Sequence, residues 1–141
     1  MTLLTLDIAN AIISAALTRA QELGYRPMAV VVLDEAGHVK ASQRADGASM
    51  FRIDIAAAKA WGAVAMGVSS RQLGERAAGN PNFFVSLAAT SQGKFLPQAG
   101  AVLIKSADGA IVGAVGASGG TGDEDEAVCI HGVESTGLRV G

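Results

Sequence analysis

Two strand–turn–strand patterns constrain this chain more tightly than any other feature. Met28–Leu33 is a continuous, Val-rich apolar run without charge, the pattern of a strand covered on both faces. Asp34-Glu35-Ala36-Gly37 reads as a tight turn. His38–Arg44 then alternates, with Val39 and Ala41 directed one way and His38, Lys40, Ser42 and Arg44 the other. The second hairpin runs from Ala101–Lys105 through Ser106-Ala107-Asp108-Gly109 to Ala110–Gly116, and its Asp-Gly pair is a strong turn signal. Two such hairpins can join into one antiparallel sheet whose faces require helices to cover them.

Helical spacing supplies the cover. Ile8, Ile12, Ala15, Ala16, Ala20 and Leu23 mark one stripe of a helix over Asp7–Leu23, with Thr5 as N-cap and Gly24 at the C′ position. Met50–Met66 is apolar nearly all round, so a second helix is buried on several sides. Arg52 and Lys59, seven residues apart, share a stripe of it. Ser69 and Gln72 offer a capping box for a short helical turn interrupted by Gly74 and Gly79. Residues 80–100 contain Pro81, Pro97 and small polar residues and receive no assignment beyond a lid. Thr121 and Glu124 form a capping box that opens a last helix. The predicted order is α-ββ-α-α-ββ-α.

Length and composition narrow the function classes. A chain of 141 residues suits one domain, 1–141, with one core. Half its residues are hydrophobic but only 4% are aromatic, so that core is built of Ala, Val, Ile and Leu. Charged residues make up 17%, too few to cover a small domain's surface, which points to a homo-oligomer. A net charge of −2 without a basic stripe argues against nucleic acid. No apolar run approaches the roughly 20 residues of a membrane span. The first residues lack a basic, apolar leader, and the single Cys129 makes no internal disulfide; a cytoplasmic location is expected.

Several local motifs carry a resemblance over nearly the whole chain. They are the Val-rich strand ending in Asp34-Glu35-Ala36-Gly37-His38, then Arg44-Ala45-Asp46-Gly47-Ala48, and Lys59-Ala60 in the alanine-rich helix. The most specific is Val112-Gly113-Ala114-Val115-Gly116-Ala117-Ser118-Gly119-Gly120-Thr121, followed by Asp125-Glu126-Ala127. In these the chain resembles the GlcG/HbpS family, which is related to the C-terminal domain of PduO-type proteins. The resemblance implies an α+β fold of about five antiparallel strands flanked by helices, similar to the profilin-like arrangement and assembled as a homo-oligomer. It also implies haem or a related tetrapyrrole as the first ligand to consider. His131 departs from the pattern, standing where relatives carry a small residue.

The chemistry-bearing residues are few. Gly116-Ala117-Ser118-Gly119-Gly120 matches G-x-S-x-G, but too little chain follows for the acid and histidine that a hydrolase places on later strands. Gly113, Gly116 and Gly119 have the wrong spacing for a dinucleotide fingerprint. Backbone amides of 118–122 at a helix start can hold a carboxylate, although Asp123, Glu124, Asp125 and Glu126 crowd the same turn and complement its dipole. His38 is a candidate haem-iron ligand or proton donor, and His131 a second iron candidate. Arg44 and Lys59 suit propionates or the acid group of a small substrate, with Ser118, Gly119, Gly120 and Asp125 completing the expected pocket. Lys59 equally suits an ion pair with Asp34, Asp46 or Asp125. The leading expectation is a tetrapyrrole-binding protein. The rivals are an enzyme or accessory protein acting on a small carboxylate such as a 2-hydroxy acid, and an assembly module.

Overall fold

The computed structural model describes residues 4–141. Helix α1 (Leu6–Glu22) starts where Thr5 Oγ1 accepts a hydrogen bond from the Ile8 amide at 3.1 Å, and Gly24 leaves the helix in the left-handed region at φ 71°. Strands β1 (Ala29–Asp34) and β2 (Val39–Arg44) form the first hairpin, and β3 (Ala101–Lys105) and β4 (Ile111–Ser118) the second. Between them lie α2 (Phe51–Met66), α3 (Ser70–Gly79) and α4 (Pro81–Thr90). Helix α5 (Gly122–Glu134) and a two-residue strand β5 (Arg139–Val140) close the chain. The architecture is α+β, with the expected order present and α4 and β5 in addition.

The five strands make one antiparallel sheet in the order β2-β1-β4-β3-β5, joined at the centre by β1 pairing with β4. Central strands buried on both faces explain why β1 reads as an unbroken apolar run. Val30, Val32, Val102, Ile104, Val115 and Ala117 face α1 and α5. Val31, Leu33, Ala101, Leu103 and Ala114 face Ala56, Ala60 and Ala63 of α2. Alanine along α2 lets that helix lie close to the sheet, and Gly116 carries the closest approach. A Cβ there would stand 2.3 Å from the Ala56 carbonyl oxygen.

Three local expectations are corrected. Val39 and Ala41 do not share a face, because a β-bulge between Val32 and Leu33 pairs Leu33 with Val39 while Val32 pairs with Ala41. One extra residue in β2, Lys40, turns Val39 to the α2 side. Gly74 does not interrupt α3, which runs through it; its bare Cα lies against the Pro97 carbonyl, where a Cβ would be 3.1 Å away. Ser69 caps α3 by accepting from Gln72 N at 3.3 Å, without the reciprocal half of a capping box. At α5 both halves of the Thr121–Glu124 box are formed.

The unassigned 80–100 segment supplies α4, with Pro81 in its first turn. Phe84 joins Leu73 and Phe95 in a small satellite core that Trp61 of α2 also touches. No helix among the described residues is long and apolar enough to cross a membrane.

Candidate functional site

The structure divides the sequence candidates, His131 apart, among three places. The first is internal. Lys59 leaves α2 and its Nζ lies 3.1 Å from Asp125 Oδ2, donating also to the Ala117 carbonyl at 3.2 Å. Asp125 Oδ1 accepts from the Gly120 amide at 2.9 Å. Both charged side chains are almost fully buried, at 7% and 2% exposure. Gly100, at the entry to β3, leaves the lysine room: a Cβ there would come within 2.6 Å of Nζ. Lys59, Asp125 and Gly120 therefore join α2 to the β4–α5 connection around the end of the sheet, and the lysine's charge is spent inside the protein.

The second place is the start of α2. Register sets Arg44, Ala29 and Ser118 side by side across β2, β1 and β4, on the face that α2 covers. Arg52, in the first turn of α2, donates through Nη1 to Ser118 Oγ at 3.2 Å. Arg44 Nη1 donates to the Ala48 carbonyl, in the loop that leads into the same helix. Gly119 and Gly120 follow Ser118, and a Cβ on Gly119 would overlap the Pro27 carbonyl at 2.3 Å. Arg52 and Lys59, predicted to share a stripe, both reach the end of β4. Ser118 has an arginine as its hydrogen-bond partner, which is not the environment of a hydrolase nucleophile.

His38 occupies the third place. It lies at the far end of β2 from Arg44, six residues or about 20 Å along an extended strand. One small pocket cannot contain both. Asp34 shapes the turn: its Oδ1 accepts from the amides of Ala36 at 2.9 Å and His38 at 3.0 Å. The His38 amide bond is the main reason the Asp34 carboxyl is held below its ordinary pKa. Asp34 Oδ2 is also 3.9 Å from His38 Nδ1, and the imidazole is 81% exposed. That separation is longer than a hydrogen bond, so the Asp34 turn holds the His38 backbone and leaves the ring open to the solvent.

Beside this imidazole is a groove of about 580 Å³ between the β1–β2 turn and α2. Leu33, Val39, Ala57 and Trp61 form its apolar wall, and Asp54 and Lys94 its charged rim. Gly37 lies against the indole, where a Cβ would sit 3.3 Å from Trp61 Nε1. Neither Trp61 nor Lys94 was singled out by sequence reasoning. Trp61 is the chain's one tryptophan, the available signal for an aromatic wall in so aliphatic a protein. Lys94 lay in the unassigned segment. A polar groove of about 430 Å³ beside α1 is lined by Ser14, Thr18, Tyr25, Arg26, Gln43 and Asp46 among others, and contains none of the predicted ligand-binding residues.

His131 is exposed on α5, across the sheet from α2, so the two histidines do not face one site in a single chain. Cys129 is buried in the core with its thiol near the Gly100 carbonyl, and burial pushes its pKa well up. Such a thiol is unreactive. Asp123 and Glu126 pair with Arg71, tying α5 to α3. Among the described residues no three His, Cys, Asp or Glu side chains cluster as a metal site.

Comparison with known proteins adds the family. The chain is 31% identical to a crystallised double mutant of HbpS from Streptomyces reticuli, with TM-score 0.82, covering 96% of this chain and 88% of that one. It is 27% identical to PduOC in a crystal structure of that protein's haem complex, with TM-score 0.84, covering 98% of this chain and 96% of that one. The Klebsiella pneumoniae protein ORFY shares the fold at TM-score 0.85 and 24% identity, covering 95% of this chain and 90% of that one. A search of curated proteins finds no match. The family model described as haem degrading protein HbpS-like matches residues 4–134. The chain belongs to the HbpS-like family.

Proposed function

We propose that this protein binds haem or a closely related tetrapyrrole in the groove beside His38. The observation that carries the reading is an exposed imidazole at the rim of a groove walled by Trp61, Leu33 and Ala57. This donor set fits the group. His38 offers a ring nitrogen to iron, the apolar wall suits a flat macrocycle, and Lys94 suits a propionate. Bound haem would supply the iron centre. The chain's own contribution is to hold the His38 backbone through the Asp34 turn and to offer the indole of Trp61. The haem complex of PduOC, at 27% identity, supports haem as the ligand.

Hemin titration of the purified protein is expected to give a saturable, shifted Soret band with quenching of Trp61 fluorescence. His38→Ala should weaken binding at least tenfold, and His131→Ala should leave it unchanged. Absence of saturation in the parent protein overturns the reading, and loss only in His131→Ala moves the site to α5.

The chain also assembles as a homo-oligomer in this reading. Met50 at 77% exposure, Phe51 at 60%, Val39 at 62% and Val85 at 72% are large apolar side chains left in water by the single chain. Sedimentation velocity at micromolar concentration should show a species larger than 14.2 kDa. A monomer across the accessible concentration range would remove this part of the proposal.

A further inference from the structure

We propose a carbohydrate-binding site in the polar groove of about 430 Å³ between α1 and β2. It is separate from the groove at His38 and stands whether or not haem binds there. The groove exists because β2 is an edge of the sheet. On the face that α1 covers, the cross-strand row Ala117–Val30–Gln43 ends in an amide where the apolar core stops. Backbone contacts fix the walls. The Tyr25 amide donates to the Ala20 carbonyl at 2.9 Å, and the Ala45 amide to the Met28 carbonyl at 2.9 Å. Gly47, at φ 88°, seats the turn after β2 against Pro27, where a Cβ would be 3.3 Å from Cγ. Gln21, Arg26, Gln43 and Asp46 are thereby brought to one concavity without spending any of their four side chains.

The lining selects a neutral, hydroxyl-rich molecule. Among the described residues, those four side chains make no hydrogen bond or ion pair with the chain, whereas Arg71 is held by Asp123 and Glu126. Each presents a planar polar group with paired hydrogen-bonding positions, which neighbouring hydroxyls of a sugar ring can match. All four are exposed, while Met28 is buried and Leu17 and Tyr25 are half-buried, so the groove has a polar rim and an apolar floor. A pyranose has the same division, with C–H groups on its faces and hydroxyls around its edge. An anion would meet Asp46 and a cation Arg26, so a simple ion of either sign is repelled. A tetrapyrrole would leave the rim groups idle, and the flat apolar wall of Trp61 belongs to the other groove. The volume lies in the range of small-molecule pockets, about 300–1,000 Å³.

Amide shifts read by ¹H–¹⁵N NMR on the full chain test the site, with glucose, galactose, mannose and maltose as probes and glycine as the reference. The expected result is saturable movement of the Thr18, Tyr25, Gln43 and Asp46 amides with at least one sugar in the millimolar range, and none with glycine. Asp46→Ala should weaken binding about tenfold, the loss of one charge-assisted hydrogen bond, and Gln43→Ala severalfold. Both side chains are exposed and without partners, so the urea midpoint should not move. His38→Ala should titrate with the sugar like the parent, which separates failure of this site from failure of the haem groove. No saturation by any of the sugars, shifts centred elsewhere, or an unaffected Asp46→Ala protein would overturn the proposal. Saturation by glycine with the sugars silent would overturn the sugar assignment in favour of a zwitterion. Shifts that follow protein concentration alone would overturn it in favour of a contact between copies of the chain.

Discussion

Replacing Lys59 by Met is expected to destabilise the fold by about 3–5 kcal/mol, because it strands the Asp125 carboxylate in the interior without its counter-charge. The methionine keeps most of the volume of the lysine stem, so the loss measures charge and hydrogen bonding more than packing. Asp125 would retain only the Gly120 amide at 2.9 Å, and the Ala117 carbonyl would lose the Nζ donor. The double variant Lys59→Met/Asp125→Asn should recover a large part of the loss. The amide side chain still accepts from Gly120, and no buried charge is left alone. Urea unfolding of the four proteins of this cycle gives the coupling directly. Additive losses would mean that the two charges are independent, contrary to their 3.1 Å separation.

Gly116→Ala should cost about 3 kcal/mol, at the upper end of what overpacking a core takes. The added methyl meets the Ala56 carbonyl at 2.3 Å and the Ala60 Cβ at 3.2 Å. The first of these is helix backbone, which cannot rotate away as a side chain would. Relief requires α2 to lift from the sheet, and Arg52 and Lys59 hold that helix to β4. Gly24→Ala is the matched control. Nothing lies within 4 Å of a Cβ at Gly24, and only its left-handed φ of 71° is penalised, at about 1–2 kcal/mol. If the two variants unfold at the same urea concentration, close packing of α2 on β4 is not what Gly116 provides.

Residue patterns with short range were legible in the sequence. Both hairpins, their turns, the Thr5 cap of α1 and the Thr121–Glu124 box each depend on neighbours within a few residues, and each is present. Helix α4 was not read, because a short segment between Pro81 and Thr90 gains its order from Phe84 packing on Leu73 and Phe95, residues distant in sequence. The bulge in β2 escaped for a related reason. Alternation assigns faces only while each residue has one partner, and the pairing of Leu33 with Val39 breaks that count.

The candidate residues show the same division. Sequence alone named the side chains able to carry chemistry: His38, Arg44, Lys59, Ser118, Asp125 and His131. It also determined that Lys59, on an apolar helix, needed either a buried partner or a ligand. Only the tertiary structure decided between these, by bringing Asp125 from 66 residues away to within hydrogen-bonding distance. It likewise separated His38 from Arg44 along one strand and set Trp61 and Lys94 beside the imidazole. Residue type sets what a group can do chemically. Where its charge is spent depends on contacts between segments far apart in the chain, and local pattern carries no record of those.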